Sequence, residues 1–98
     1  MDAGIKGRVV VITGAARGMG QAYTRGFLQA GACVVATDRS WKGADEFRNE
    51  LEKRGEDVLI EDMDVTDVAQ IESVCKKTLQ RFKTVHVLVN NAAMRQRD

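Results

Sequence analysis

Proline is absent from this sequence, His86 is its lone histidine, and Cys33 and Cys75 are its only cysteines. One histidine and two cysteines without ligand spacing cannot assemble a metal site, so no metal-binding residue is assigned. Cys33 falls in a predicted strand and Cys75 in a predicted helix. Thiols so placed read as reduced core residues, not as a disulfide, and the expected compartment is the cytoplasm. No apolar run approaches the roughly 18 residues of a membrane span. Met1 to Arg8 lacks the apolar core of a secretory leader, so no membrane partner is expected. Charge of one sign is also missing. The net charge is +1 with no basic block, which leaves nothing to recommend nucleic acid as a partner. No repeat, low-complexity tract or proline-rich linker divides the chain. Ninety-eight residues, 44% hydrophobic and 30% charged, make at most one soluble domain with a modest core.

What is present is an alternation of apolar runs with stretches of helical period, the pattern of a parallel βαβ sheet. The strands are predicted at Val9–Ile12, at residues 33–37, from Val58-Leu59-Ile60 onward, and at residues 85–89. The first helix is expected to bury Met19, Ala22, Tyr23, Phe27 and Ala30 and to stop at Gly31. The second carries Ala44, Phe47 and Leu51 and ends at Gly55. The third, capped by Thr66 or Asp67, carries an apolar stripe of Val68, Ile71, Val74, Cys75, Leu79 and Phe82. Right-handed crossovers give the strand order 3-2-1-4 with helices on both faces. That order puts the fourth strand at an edge. Val85-His86-Val87-Leu88-Val89 is apolar on both faces, however, and reads as a central strand. The expectation is one α/β segment, residues 1–98, incomplete at its C-terminus.

Between the first strand and first helix lies Thr13-Gly14-Ala15-Ala16-Arg17-Gly18-Met19-Gly20. A glycine turn running into a helix N-terminus cradles an anion: unpaired N–H groups point out of it, and the helix dipole favours negative charge there. Asp38 closes the second apolar run 18 residues after Gly20. An acid at about that distance is what a dinucleotide's ribose hydroxyls require. Its carboxylate accepts both hydroxyls of the adenosine ribose and repels a 2′-phosphate, which points to NAD over NADP. Arg39 follows directly and softens that exclusion. No Gly-Lys-Ser/Thr closes the glycine turn, so a nucleoside triphosphate cradle is disfavoured.

The spacing Thr-Gly-x-x-x-Gly-x-Gly resembles that of the short-chain dehydrogenase/reductase family. Asp62-Met63-Asp64-Val65-Thr66-Asp67 is similar to the family's Asp-Val element after the third strand. Val87-Leu88-Val89-Asn90-Asn91-Ala92-Ala93 is similar to its Asn-Asn-Ala-Gly element after the fourth. The three motifs fall in the family's order and span nearly all of the chain. The resemblance implies part of a Rossmann fold. It implies that Gly14, Gly18 and Gly20 support a pyrophosphate, with backbone contacts from Ala15, Ala16 and Met19. Two readings of Arg17 stay open: an exposed arginine indifferent to the cofactor, or a base facing a 2′-phosphate. Asp64 and Val65 match the family's adenine contact, with Asp62 a neighbouring competitor and helix capping the plainer alternative. Asn91 and Ala92 are assigned to the ribose side and Asn90 to the sheet. Trp41 is expected either on the neighbouring helix or against the adenine.

Three departures from the family's pattern stand out: Ala93 in place of Gly, Lys83 where a glycine often ends the third helix, and His86 where an acid often starts the fourth strand. No catalytic residue is assigned. The family's Tyr-x-x-x-Lys pair, with its serine and asparagine, normally follows the Asn-Asn-Ala-Gly element. The one tyrosine here, Tyr23, has Phe27 four residues on. The expectation is the NAD-binding portion of an oxidoreductase acting on an alcohol/carbonyl pair, inactive by itself, from a parent that is a homo-oligomer. The rivals are a non-catalytic nucleotide-binding protein and an NADP-dependent member of the same family.

Overall fold

A computed structural model describes residues 4–92. Ala93 and the stretch 94–98 lie outside the described residues. The elements follow as β1 (Val9–Ile12), α1 (Met19–Gln29), β2 (Cys33–Asp38), α2 (Asp45–Glu52), a 3-10 turn (Gly55–Asp57), β3 (Val58–Asp62), α3 (Val68–Phe82) and β4 (Val87–Val89). The four strands form one parallel sheet in the order β3-β2-β1-β4. This is the partial Rossmann arrangement expected from the crossovers.

Residues alternate across the pleat. Val10, Ile12, Val34, Ala36 and Val58 pack with Leu28, Trp41, Phe47 and Leu51 from the α1 and α2 side. Val9, Val35 and Met63 pack with Val74 of α3 on the other. Trp41 stacks on Phe47 with ring centroids 6.4 Å apart and donates its indole N–H to the Glu61 carbonyl at 3.1 Å. The indole therefore packs on α2.

The faces of α1 and α3 differ from the expected stripes. In α1 the buried row is Gly20, Thr24 and Leu28, while Met19 is 62% exposed. Tyr23 and Phe27 are only partly buried at the margin of the core. The reason is steric. A Cβ on Gly20 would run into the Gly14 carbonyl and come within 2.8 Å of Ala15 Cα, so the smallest residue faces the sheet and α1 seats against it. Thr24 hides its hydroxyl by donating to the Gly20 carbonyl at 2.8 Å, and buries like an apolar residue.

In α3 only Val74 and Thr78 are buried; Val68, Cys75 and Leu79 are exposed. Its stripe is broader than the sheet surface available to it. Asp67 caps this helix, accepting from the N–H groups of Ala69 and Gln70. Lys83 ends it at φ 75°, left-handed backbone that glycine adopts without a Cβ penalty. His86 is structural in the described fold: its N–H donates to the Val9 carbonyl, and its Nδ1 accepts the Val9 N–H at 2.9 Å.

Candidate functional site

In a parallel sheet all strands end on one side, so the segments after β1, β2, β3 and β4 collect along a single edge. Gly14 to Gly20 follow β1, Asp38 closes β2, Asp64 and Val65 follow β3, and Asn91 and Ala92 follow β4. The turn after β1 is stitched to its neighbours through the backbone. Thr13 N–H donates to the Val89 carbonyl and Ala15 N–H to the Thr37 carbonyl.

Close approach explains two of the glycines. A Cβ on Gly14 would sit 3.0 Å from Ala92 Cα and from Asn91 Nδ2, and Gly20 is closed off by the turn itself. Gly18 differs. Its φ of +61° is left-handed like the +67° of Gly14, but a Cβ there would meet no atom within 4 Å. It is therefore glycine for its backbone conformation and for the open space in front of it. Among the described residues, the N–H groups of Gly18 and Met19 donate to nothing, whereas those of Gly20 and Gln21 turn back to the carbonyls of Arg17 and Gly18. Free donors, open space and a helix N-terminus together fit an anionic pyrophosphate.

Asp38 is drawn into this turn. One carboxylate oxygen accepts the Ala16 N–H at 2.9 Å and the other accepts the Ser40 N–H at 3.2 Å. Arg17 Nη1 lies 3.7 Å from the same Oδ1, with side-chain exposures of 54% for Arg17 and 12% for Asp38. A carboxylate offers roughly four acceptor positions, so two backbone donors leave it able to receive a pair of hydroxyls.

Thr13 opens the glycine motif with no role assigned to it from the sequence, yet it organises the far end. Its Oγ1 accepts the N–H groups of Asn91 at 2.9 Å and Ala92 at 3.0 Å, and lies within donating distance of Asn90 Oδ1 and the Val89 carbonyl. Asn91 Nδ2 donates to the Gly14 carbonyl at 3.1 Å. The Asn91 side chain thus locks the two turns together, which leaves the backbone of Asn91 and Ala92 beside the glycine turn. A buried threonine at the end of an otherwise valine and isoleucine strand was the available signal for Thr13.

Asp64 stands apart from this cluster. Its Oδ1 accepts the Thr66 hydroxyl at 2.7 Å and the Thr66 N–H at 2.9 Å. The hydroxyl, then the backbone donor, hold its carboxyl below the ordinary range; slight burial opposes this, and Arg39 adds to it. Val65 packs at the margin of the α3 core and lines an apolar groove of about 390 Å³ with Val11, Met63, Ile71, Val74 and Leu88. No helix among the described residues is long and apolar enough to cross a membrane.

Residues 8–98 match the family model described as short chain dehydrogenase. Fluoren-9-ol dehydrogenase of Terrabacter sp. is 47% identical over 90 residues, covering 92% of this chain and 25% of that protein. A 3-oxoacyl-(acyl-carrier-protein) reductase of Thermotoga maritima is 41% identical over 90 residues, covering 92% of this chain and 37% of the reductase. The chain therefore spans about a quarter to just over a third of the length of these relatives. Among solved structures, a short chain dehydrogenase/reductase from Burkholderia phymatum in complex with NAD superposes with a TM-score of 0.77 at 30% identity. It covers 86% of this chain and 30% of that one. A glycine turn with unpaired N–H groups, an acid after the second strand and these matches lead to one assignment: the chain belongs to the short-chain dehydrogenase family of oxidoreductases.

Proposed function

We propose that this chain is the NAD-binding portion of a short-chain dehydrogenase/reductase. The bound nicotinamide would supply the hydride acceptor or donor for an alcohol/carbonyl pair. Gly14, Gly18, Met19 and Gly20 form the pyrophosphate cradle, Asp38 receives the adenosine ribose, Asp64 and Val65 border the adenine, and Asn91 and Ala92 flank the ribose side. The carrying observation is Asp38. Its carboxylate is anchored to the Ala16 N–H inside the glycine turn, next to the open space before Gly18, and keeps acceptor capacity. The NAD held by the Burkholderia phymatum relative supports the same reading.

Relatives so close in sequence act on a fluorenol in one case and on an acyl-carrier substrate in another, so we assign only an alcohol/carbonyl class. The free Cys33 and Cys75 suit a reducing cytoplasm. The parent enzyme we take to be a homo-oligomer that completes the site with proton-transfer residues this segment lacks. The 98-residue chain by itself binds cofactor without turnover.

The test is calorimetry with NAD and NADP. Gly18→Val places a branched side chain on left-handed backbone in the cradle and abolishes binding of both. Asp38→Ser removes charge-assisted bonds of roughly 1.5–3 kcal/mol, so NAD affinity falls about ten- to a hundredfold and the preference moves toward NADP. A wild type that prefers NADP, or a ratio unmoved by Asp38→Ser, overturns the NAD assignment. Retained affinity in Gly18→Val overturns the site.

A further inference from the structure

Arg17 leaves the glycine turn and reaches across to the segment after β2. Its Nη1 and Nη2 both donate to the Ser40 carbonyl at 3.2 Å, and Nη2 also donates to the Lys42 carbonyl at 2.7 Å. Between those two carbonyls sits Trp41, buried against Phe47 and bonded to the Glu61 carbonyl. The segment 38–42 is thus held from two sides. Trp41 pins it inward, and Arg17 ties it to the turn that cradles the pyrophosphate. Asp38 lies within this tied segment, its Oδ1 accepting the Ser40 N–H.

We infer that Arg17 is a positioning residue that straps the segment after β2 to the glycine turn and fixes the Asp38 carboxylate, and that it does not act as a receptor for a 2′-phosphate. This rests on the dinucleotide reading above and deepens it into a mechanism of cofactor choice. The guanidinium fork is committed to two backbone carbonyls. A 2′-phosphate would meet the Asp38 carboxylate first, and it would gain the arginine only by releasing the strap. A lysine cannot substitute, because a single ammonium lacks the planar fork that spans two carbonyls. With the strap cut, Asp38 is free to swing away from the ribose, and the discrimination it provides shrinks.

The two roles predict opposite signs. For a strap, Arg17→Ala and Arg17→Lys both weaken NAD binding by about three- to tenfold and lower the NAD/NADP affinity ratio. For a phosphate receptor, Arg17→Ala weakens NADP selectively and raises that ratio, while Arg17→Lys holds it. A second measurement needs no nucleotide. Trp41 is the sole tryptophan of the chain, so acrylamide quenching of its fluorescence reports directly on the tied segment. A strap requires quenching to rise in both variants at unchanged far-UV circular dichroism. Unchanged quenching, or a ratio that rises in Arg17→Ala and holds in Arg17→Lys, overturns the inference. A wild-type chain that binds neither dinucleotide overturns the site reading instead, and the quenching result then decides the strap by itself.

Discussion

On the side of the sheet that faces α1 and α2, Val10, Ile12, Val34 and Ala36 are sealed from solvent beneath Leu28, Trp41, Phe47 and Leu51. On the side that faces α3, the buried apolar cluster among the described residues is only Val9, Val35, Met63 and Val74, and Leu88 of β4 is 62% exposed beside the apolar groove. Both sides are made from the same kinds of residue. What separates them is coverage: two helices close the first side, and α3 alone lies over the second. The dinucleotide candidates sort the same way. Gly14, Arg17, Gly18, Gly20 and Asp38 are interlocked by backbone and carboxylate bonds beside the covered side, whereas Asp64 and Val65 border the open one.

The largest test of this contrast compares one residue from each side. Phe47 is buried, stacked with Trp41 and overlaid by the Arg25 guanidinium 4.8 Å from its centroid. Phe47→Ala leaves a cavity on the closed side and is expected to cost about 3–5 kcal/mol in urea unfolding. Leu88→Ser alters an exposed side chain on the open side and should stay within about 0.5 kcal/mol, with a gain in solubility. A loss above about 1.5 kcal/mol for Leu88→Ser would mean that the groove is covered in solution, and the contrast would break.

A smaller effect is expected where the open side is tied back to the closed one. His86 Nδ1 accepts the N–H of Val9, which requires the tautomer protonated on Nε2. His86→Ala leaves that partly buried donor without its partner, a loss of about 1 kcal/mol in urea unfolding. His86→Asn offers an amide oxygen near the same place and should recover part of it. Equal stability of the alanine variant and the wild type would show that water replaces the imidazole, and that β4 is held by its ladder alone.

The elements that sequence reasoning placed well are those governed by local rules. Strand order followed from crossover handedness, and the glycine turn and Asp38 followed from spacing that brings a turn and an acid to one sheet edge. The buried row Gly20, Thr24 and Leu28 was not legible, because it is chosen by how closely α1 meets Gly14 and Ala15, not by hydrophobicity. The apolar stripe of α3 is wider than the face it buries for the complementary reason: an apolar pattern states what a helix can bury, and the surface opposite decides what it does bury. Thr13, Arg17 and Asn91 owe their roles to bonds with backbone atoms distant in sequence. Residue type reveals the capacity for such bonds, and only the fold supplies the partner.

The smallest expected effect lies on the open side, at the turn after β3. Asp64 accepts the Thr66 hydroxyl and the Thr66 N–H, and these donors hold its carboxyl below the ordinary value. A depressed carboxyl contributes stability in full above its unfolded value near 3.9 and loses it as pH falls toward the folded value. Thr66→Ala deletes the leading donor and keeps the backbone one. Carboxyl-carbon NMR should then show Asp64 titrating at higher pH than in the wild type, without reaching a fully ordinary carboxylate. The stability gap between wild type and variant should be measurable at about pH 7 and should narrow as the pH falls below the unfolded carboxylate value and the folded carboxyls take up protons. Because this group lies at the surface, solvent screens the interaction and the gap is small. An Asp64 titration that Thr66→Ala leaves unmoved would show that the turn does not persist in solution. The proposed adenine side of the site would then be ordered only by a bound cofactor, in contrast to the proposed ribose side at Asp38, whose carboxylate is already bonded to the Ala16 and Ser40 N–H groups.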